Sequence, residues 1–260
     1  MAEITQEALE PPRKLPFDWL LGALIRPRKT FAAIAAQTRP VWLLPMVVFT
    51  ITALARVLSN GWVRQISAMS GNIQLPPDFQ YYSPEQQAQY MQAMQATSGP
   101  VFVYIFPALM ALAAIWLGWL LVGGALHLVF TMVGGRGETI TSINLVAWAS
   151  LPFALREVVR AIALLSTRQM IDQPGLSGFV AADATGLMAY IGAFLALVDI
   201  YLIWHIALLY LGARQGVGIS AGKALISVLA TMLLVLGLQA LMAFALAQLG
   251  NLTVVRPFFF

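Results

Sequence analysis

Five ionisable residues stand inside stretches that are otherwise apolar: Arg56, Arg156, Glu157, Arg160 and Asp199. Three of them fall in Gly134–Leu165, GGRGETITSINLVAWASLPFALREVVRAIALL, which opens on a Gly-rich charged turn, becomes apolar from Ile140 and meets Pro152. Arg156 and Arg160 share a helix face at i,i+4, and Glu157 reaches Arg160 at i,i+3. At a helical rise of about 1.5 Å per residue, Arg56 lies about 22 Å from the start of its run at Val41. Arg156 lies at a similar height from Thr141, and Asp199 about 18 Å back from Leu211. Three runs thus place charge in one layer. An unpaired charge inside a bilayer costs at least about 2.5–3.5 kcal/mol, so Asp199 is expected to pair with Arg156, or failing that with Arg56. Two roles suit such a layer: a clasp that joins helices, or a polar path or headgroup-binding cavity.

A second polar layer, on the cytoplasmic side, comprises His127, Thr131, Asn144 and His205. No carboxylate or cysteine shares its depth, so the expectation is hydrogen bonding between helices and no metal site. Gly134-Gly135-Arg136-Gly137 lacks the Lys and Ser/Thr of a nucleotide loop and reads as a turn. Asp and Glu total 11, four of them within the first eighteen residues, and cysteine is absent. Neither a hydrolytic triad nor a carboxylate pair can be assembled, so no catalytic residues and no cofactor are expected.

The elements that hold these residues follow from composition. The chain has 260 residues, 60% hydrophobic and 10% charged, with a mean hydropathy of +0.79. Soluble domains carry roughly 25% charged residues. The expected fold is all-α, a polytopic membrane helical bundle with five transmembrane helices and short interfacial helices. The spans fall at about 41–58, 101–133, 141–165, 186–211 and 224–249, each long enough for a hydrocarbon core of roughly 30 Å. They occupy a membrane domain at 17–250, between a disordered cytoplasmic tail at 1–16 and a C-terminal tail at 251–260.

Residues 17–37 read as two short interfacial helices broken at Pro27, with Trp19, Leu20, Ala23 and Leu24 sharing one face and Phe31, Ile34 and Ala35 another. Basic Arg26, Arg28, Lys29 and Arg39 beside them suit contact with anionic lipid. Ser83-Pro84-Glu85-Gln86 reads as a capped helix start, opening an amphipathic helix over the bundle. Pro107 is expected to bend the second span. Ala114 with Gly118, and Gly192 with Ala196, have the spacing of close helix contacts. Lys and Arg divide nine to six in favour of the side that holds the N-terminus, which places that end inside and the C-terminus outside. The same position beside spans explains the basic excess without nucleic acid.

Several stretches carry a family resemblance. The turn GGRGETI leads into LVAWASLPFAL; VDIYLIWHIALLYLGARQGVGIS is followed by Lys223-Ala224; and PRKTFAAI, with Pro27 and Phe31, precedes Trp42 and Pro45. This pattern, over roughly Asp18 to Ala247, resembles the Yip (Ypt-interacting protein) domain family of five-span membrane proteins, in particular its bacterial members. The resemblance implies a non-enzymatic scaffold or adaptor in the bacterial cytoplasmic membrane. Its partners would be membrane lipids and other membrane proteins, an export transporter or a second copy among them. The competing expectation is a small transporter, accessory export component or lipid-handling protein that uses the Arg/Asp cluster. A cavity at that layer favours the second, and a dry, fully paired cluster the first.

Overall fold

Pro152 shapes the middle of the molecule. Proline has no amide hydrogen and its ring crowds the preceding turn, so the apolar run from Thr139 cannot continue as one helix. The computed structural model describes residues 17–69, 79–181 and 183–253. In it this run becomes α6 (Thr139–Ala149) and α7 (Leu151–Thr167), with Ser150 between them and Pro152 in the first turn of α7. Around them lie α1 (Asp18–Ile25), α2 (Pro27–Ala35), α3 (Leu43–Met69), α4 (Pro84–Thr97), α5 (Phe106–Met132), α8 (Gly186–Leu195), α9 (Ile200–Gly216) and α10 (Ala221–Thr253). The fold is 81% helical, with no strand among the described residues.

The centre of the bundle is α6. Every residue from Asn144 to Ala149 is buried, as expected of a helix apolar on all sides. It packs against α5, α9 and α2, while α7 lies along α3. Trp119 of α5 donates from Nε1 to the Ile143 carbonyl at 2.9 Å. Close approach is provided by glycine: a Cβ on Gly123 would sit 3.1 Å from Ile143 Cγ1, and one on Gly216 would sit 2.9 Å from Ala35 Cβ and 3.0 Å from Thr141 Cγ2. The small-residue spacing at Ala114 and Gly118 serves a different purpose, because a Cβ on Gly118 would meet nothing within 4 Å.

Among the described residues, three helical stretches are long and apolar enough to cross a membrane, Leu43–Ser67, Val101–Met132 and Ala221–Gln248. The pair α8–α9, bent by 66°, makes a fourth if it counts as one span. The five expected spans are therefore matched by three or four. The one at 141–165 is divided at Ser150 into helices of 11 and 17 residues. Ahead of Pro107 lies a π-helical turn, Val101–Ile105, which runs on into α5 as one continuous stretch. The first span runs on to Met69, beyond the expected end at 58.

The short N-terminal helices are placed differently from the expectation. Ala23, Phe31 and Ile34 are fully buried, and Trp19 meets Trp148 of α6 edge-on at 5.6 Å. These faces thus pack on protein, and the apolar residues α1 exposes are instead Phe17, Leu21 and Ile25. The helix α4 has its capping box between Ser83 and Gln86 but buries none of its residues, so it is not laid over the bundle through Tyr90, Met91 and Met94. The tail at 1–16 and the residues after 253 lie outside the described residues.

These contacts set two substitutions apart. Gly216→Ala pushes a methyl into Ala35 Cβ, which no rotamer change can move aside, and is expected to cost about 1–3 kcal/mol. Gly118→Ala adds a methyl to open space and is expected to be neutral or to gain up to about 1 kcal/mol from helix propensity. Thermal unfolding of the two variants in detergent measures the difference.

Candidate functional site

Charge from three elements meets at one place. From α7 come Arg156, Glu157 and Arg160; α3 contributes Arg56, and Asp199 stands at the start of α9. Glu157, only 4% exposed, is the hub. Arg56 Nε donates to its Oε2, Arg156 Nε donates to its Oε1 at 3.2 Å, and Arg160 Nη1 lies 4.0 Å from Oε1. Asp199 Oδ2 is 3.4 Å from Arg156 Nη1 and 3.5 Å from Arg160 Nη2. Asp199 thus faces Arg156, the partner expected from depth, while Arg56 finds its carboxylate in Glu157. Three guanidinium groups face two carboxylates, an excess of one positive charge.

The position of Asp199 has a local cause that periodicity alone does not reveal. It lies in the break between α8 and α9, where its Oδ1 accepts from the Leu202 amide at 2.9 Å and caps α9. Aspartate is among the best N-cap residues, and that preference is the signal that a break falls here rather than mid-helix. The loop after α7 docks on the C-terminal end of α8, where the Leu195 carbonyl already accepts from Val198 N at 3.0 Å. Leu176 donates its amide to the Leu195 carbonyl at 2.9 Å. Beside it Gly175, at φ +61°, approaches so closely that a Cβ would lie 2.7–2.8 Å from the carbonyl oxygens of Leu195, Ala196 and Val198.

The other break has its own remedy. The Phe153 amide turns to Ser150 O, leaving Ala149 O to His205 Nδ1 at 2.7 Å. Because a carbonyl only accepts, Nδ1 carries the hydrogen. The His205 ring also lies 4.7 Å from that of Phe153, and the Arg156 guanidinium stands 4.7 Å over the same Phe153 ring. The two breaks and the charge cluster are therefore in continuous contact.

The four residues expected to form an inner polar layer separate into two kinds. Asn144 clamps the linker between α2 and α3, accepting from Val41 N at 3.0 Å and donating to Arg39 O at 2.9 Å, beside Trp148 Nε1 on Val41 O at 3.0 Å. With His205 it belongs to the buried interior. Thr131 is exposed and bonds back to His127 O on its own helix, and His127 is half-buried. Of the basic residues expected at lipid, Arg26, Arg28, Lys29 and Arg39 are all exposed.

Beside the cluster opens a cleft of about 270 Å³, with walls from α3, α5, α6, α7, α9 and α10. Arg56, Arg156, Glu157 and Gln239 supply its polar end; the remainder includes Trp119, Val146, Met232 and the small residues Ala111, Ala114 and Gly118.

Long apolar helices around paired interior charge define a polytopic helical membrane protein. The family model for the Yip1 domain matches residues 21–244, and the chain belongs to that family. No match is found among curated proteins or among solved structures.

The geometry ranks the charged residues. Glu157→Gln leaves three guanidinium groups with one carboxylate in a buried setting and is expected to cost about 3–5 kcal/mol. Asp199→Asn keeps a capping oxygen and is expected to cost clearly less. For the orphan carbonyl, His205→Phe is expected to cost about 1–3 kcal/mol, as for an unsatisfied buried polar group. Thermal melts in detergent test both orders.

Proposed function

We propose that the protein is a non-enzymatic scaffold or adaptor of the bacterial cytoplasmic membrane, binding partner membrane proteins and lipid. The observation that carries this reading is the mutual pairing of Arg56, Arg156, Glu157, Arg160 and Asp199, which ties α3, α7 and α9 together. Charges used in this way hold helices in register instead of presenting a reactive group. Rows of exposed apolar side chains, such as Leu117 and Leu121 on α5 and Leu234 and Leu238 on α10, offer surfaces for lipid or partner helices. The exposed Arg26, Arg28, Lys29 and Arg39, next to the exposed apolar face of α1, suit anionic headgroups. The chain crosses five times in this proposal, with α6 and α7 together as the third span, the N-terminus inside and the C-terminus outside. A second reading, lipid handling or assistance to an export transporter, is favoured by the cleft beside the cluster.

The absence of cysteine makes single-cysteine labelling direct. Phe179→Cys is expected to react with an impermeant maleimide in intact cells, and Ser220→Cys only after lysis; the opposite pattern sinks the orientation. For the adaptor role, a photo-crosslinker at Leu121 or Leu234 is expected to capture a discrete partner membrane protein in native-lipid nanodiscs. Adducts to lipid alone would refute it.

A further inference from the structure

The cleft has the polarity of an amphiphile. One end carries Arg56, Arg156 and Glu157, and the wall beyond them is largely apolar, including Trp119 and Met232, with Ser150 and His205 as its polar interruptions. Along α3 the lining runs from Arg56 to Met46, a distance of about 15 Å at helical rise. On α5 the small residues Ala111, Ala114 and Gly118 face it beside the larger Ile115, Trp119 and Val122, and a Cβ on Gly118 would meet nothing within 4 Å, so that position leaves open space in the wall. A pocket of about 270 Å³ sits just below the roughly 300–1,000 Å³ typical of ligand sites. It therefore takes part of an amphiphile and leaves the rest in the bilayer.

The charge at the polar end selects the headgroup. The cluster has one guanidinium more than it has carboxylates, and Arg56 is held by the protein through Nε alone among the described residues. Its two terminal nitrogens remain as donors, with its side chain 29% exposed. A planar guanidinium with free donors matches a phosphate oxygen pair. A headgroup of one net negative charge balances the cluster, whereas one that also carries an ammonium brings a cation against three others.

We propose that this cleft is a binding site for a membrane lipid with a singly charged phosphate headgroup, the phosphate on Arg56 and a stretch of acyl chain along Ala111, Ala114 and Gly118. The site functions whether or not a protein partner docks elsewhere, so its failure leaves the adaptor reading untouched.

Native mass spectrometry of the full chain in detergent, with phosphatidylglycerol, phosphatidylethanolamine or inorganic phosphate added, tests the site. Phosphatidylglycerol is expected to bind at least about tenfold tighter than phosphatidylethanolamine, a difference of roughly 1.4 kcal/mol. Excess inorganic phosphate is expected not to displace it. Arg56→Gln leaves two guanidinium groups against two carboxylates and is expected to abolish the preference. Gly118→Leu fills the cleft and is expected to weaken phosphatidylglycerol binding at least about tenfold with the lipid-free thermal midpoint unchanged. Leu121→Ala, on the outward side of α5, is expected to change neither. Equal binding of the two lipids, displacement by inorganic phosphate, or unaltered binding in Gly118→Leu each overturns the proposal. If Arg56→Gln does not fold, the lipid comparison on the unsubstituted protein and Gly118→Leu decide without it.

Discussion

A buried carboxylate among three guanidinium groups governs the arrangement of this bundle. A buried charge has little water to compensate it, so Glu157 and its neighbours are stable only together. Each member comes from a helix that has its own reasons to be where it is: α3 because it is long and apolar, α7 because Pro152 restarts the chain, α9 because Asp199 caps it. Their meeting restricts the rotation of all three about their axes. Apolar packing alone, between helices bathed in equally apolar lipid, supplies little such selectivity.

The same scarcity of water explains the treatment of the two breaks. A break in a buried helix frees backbone carbonyls, and buried carbonyls need donors from elsewhere in the protein. Here His205 reaches from α9 to Ala149 O, and the loop following α7 supplies the Leu176 amide to Leu195 O. Neither donor belongs to the helix it repairs. Each break is therefore stitched by a different part of the chain, and the stitches run through Phe153 and Arg156 into the charge cluster.

Much of this was readable from composition and spacing, and the failures have physical causes. Sixty per cent apolar residues and helical heights of charge were enough for a helical membrane protein with Asp199 facing Arg156. Height along a span says nothing about rotation around it, so Arg56 stood only as an alternative partner for Asp199, and its pairing with Glu157 was not foreseen. The expected inner polar layer divides for the same reason: Asn144 and His205 bond to other elements, whereas Thr131 bonds back to its own helix. Small-residue spacing is equally blind to what lies opposite, and it pointed to Ala114 and Gly118 where Gly123 and Gly216 make the tight contacts. An apolar face on a short helix cannot announce what will cover it, and on α1 Ala23 is covered by protein while Leu21 and Ile25 stay exposed. The crossing count was uncertain where helices break, because a run of apolar residues is long enough on paper whether or not it is straight.

Gly175 carries one more implication. Its backbone lies against three carbonyl oxygens of the α8–α9 bend, with a left-handed φ and no room for a side chain. The connecting segment thus sits directly on the bend, and at this point only the residue without a β-carbon fits. Whatever shape that segment adopts is shared by the kinked helix beneath it, so the two behave as one joint rather than as a strut with a slack tether.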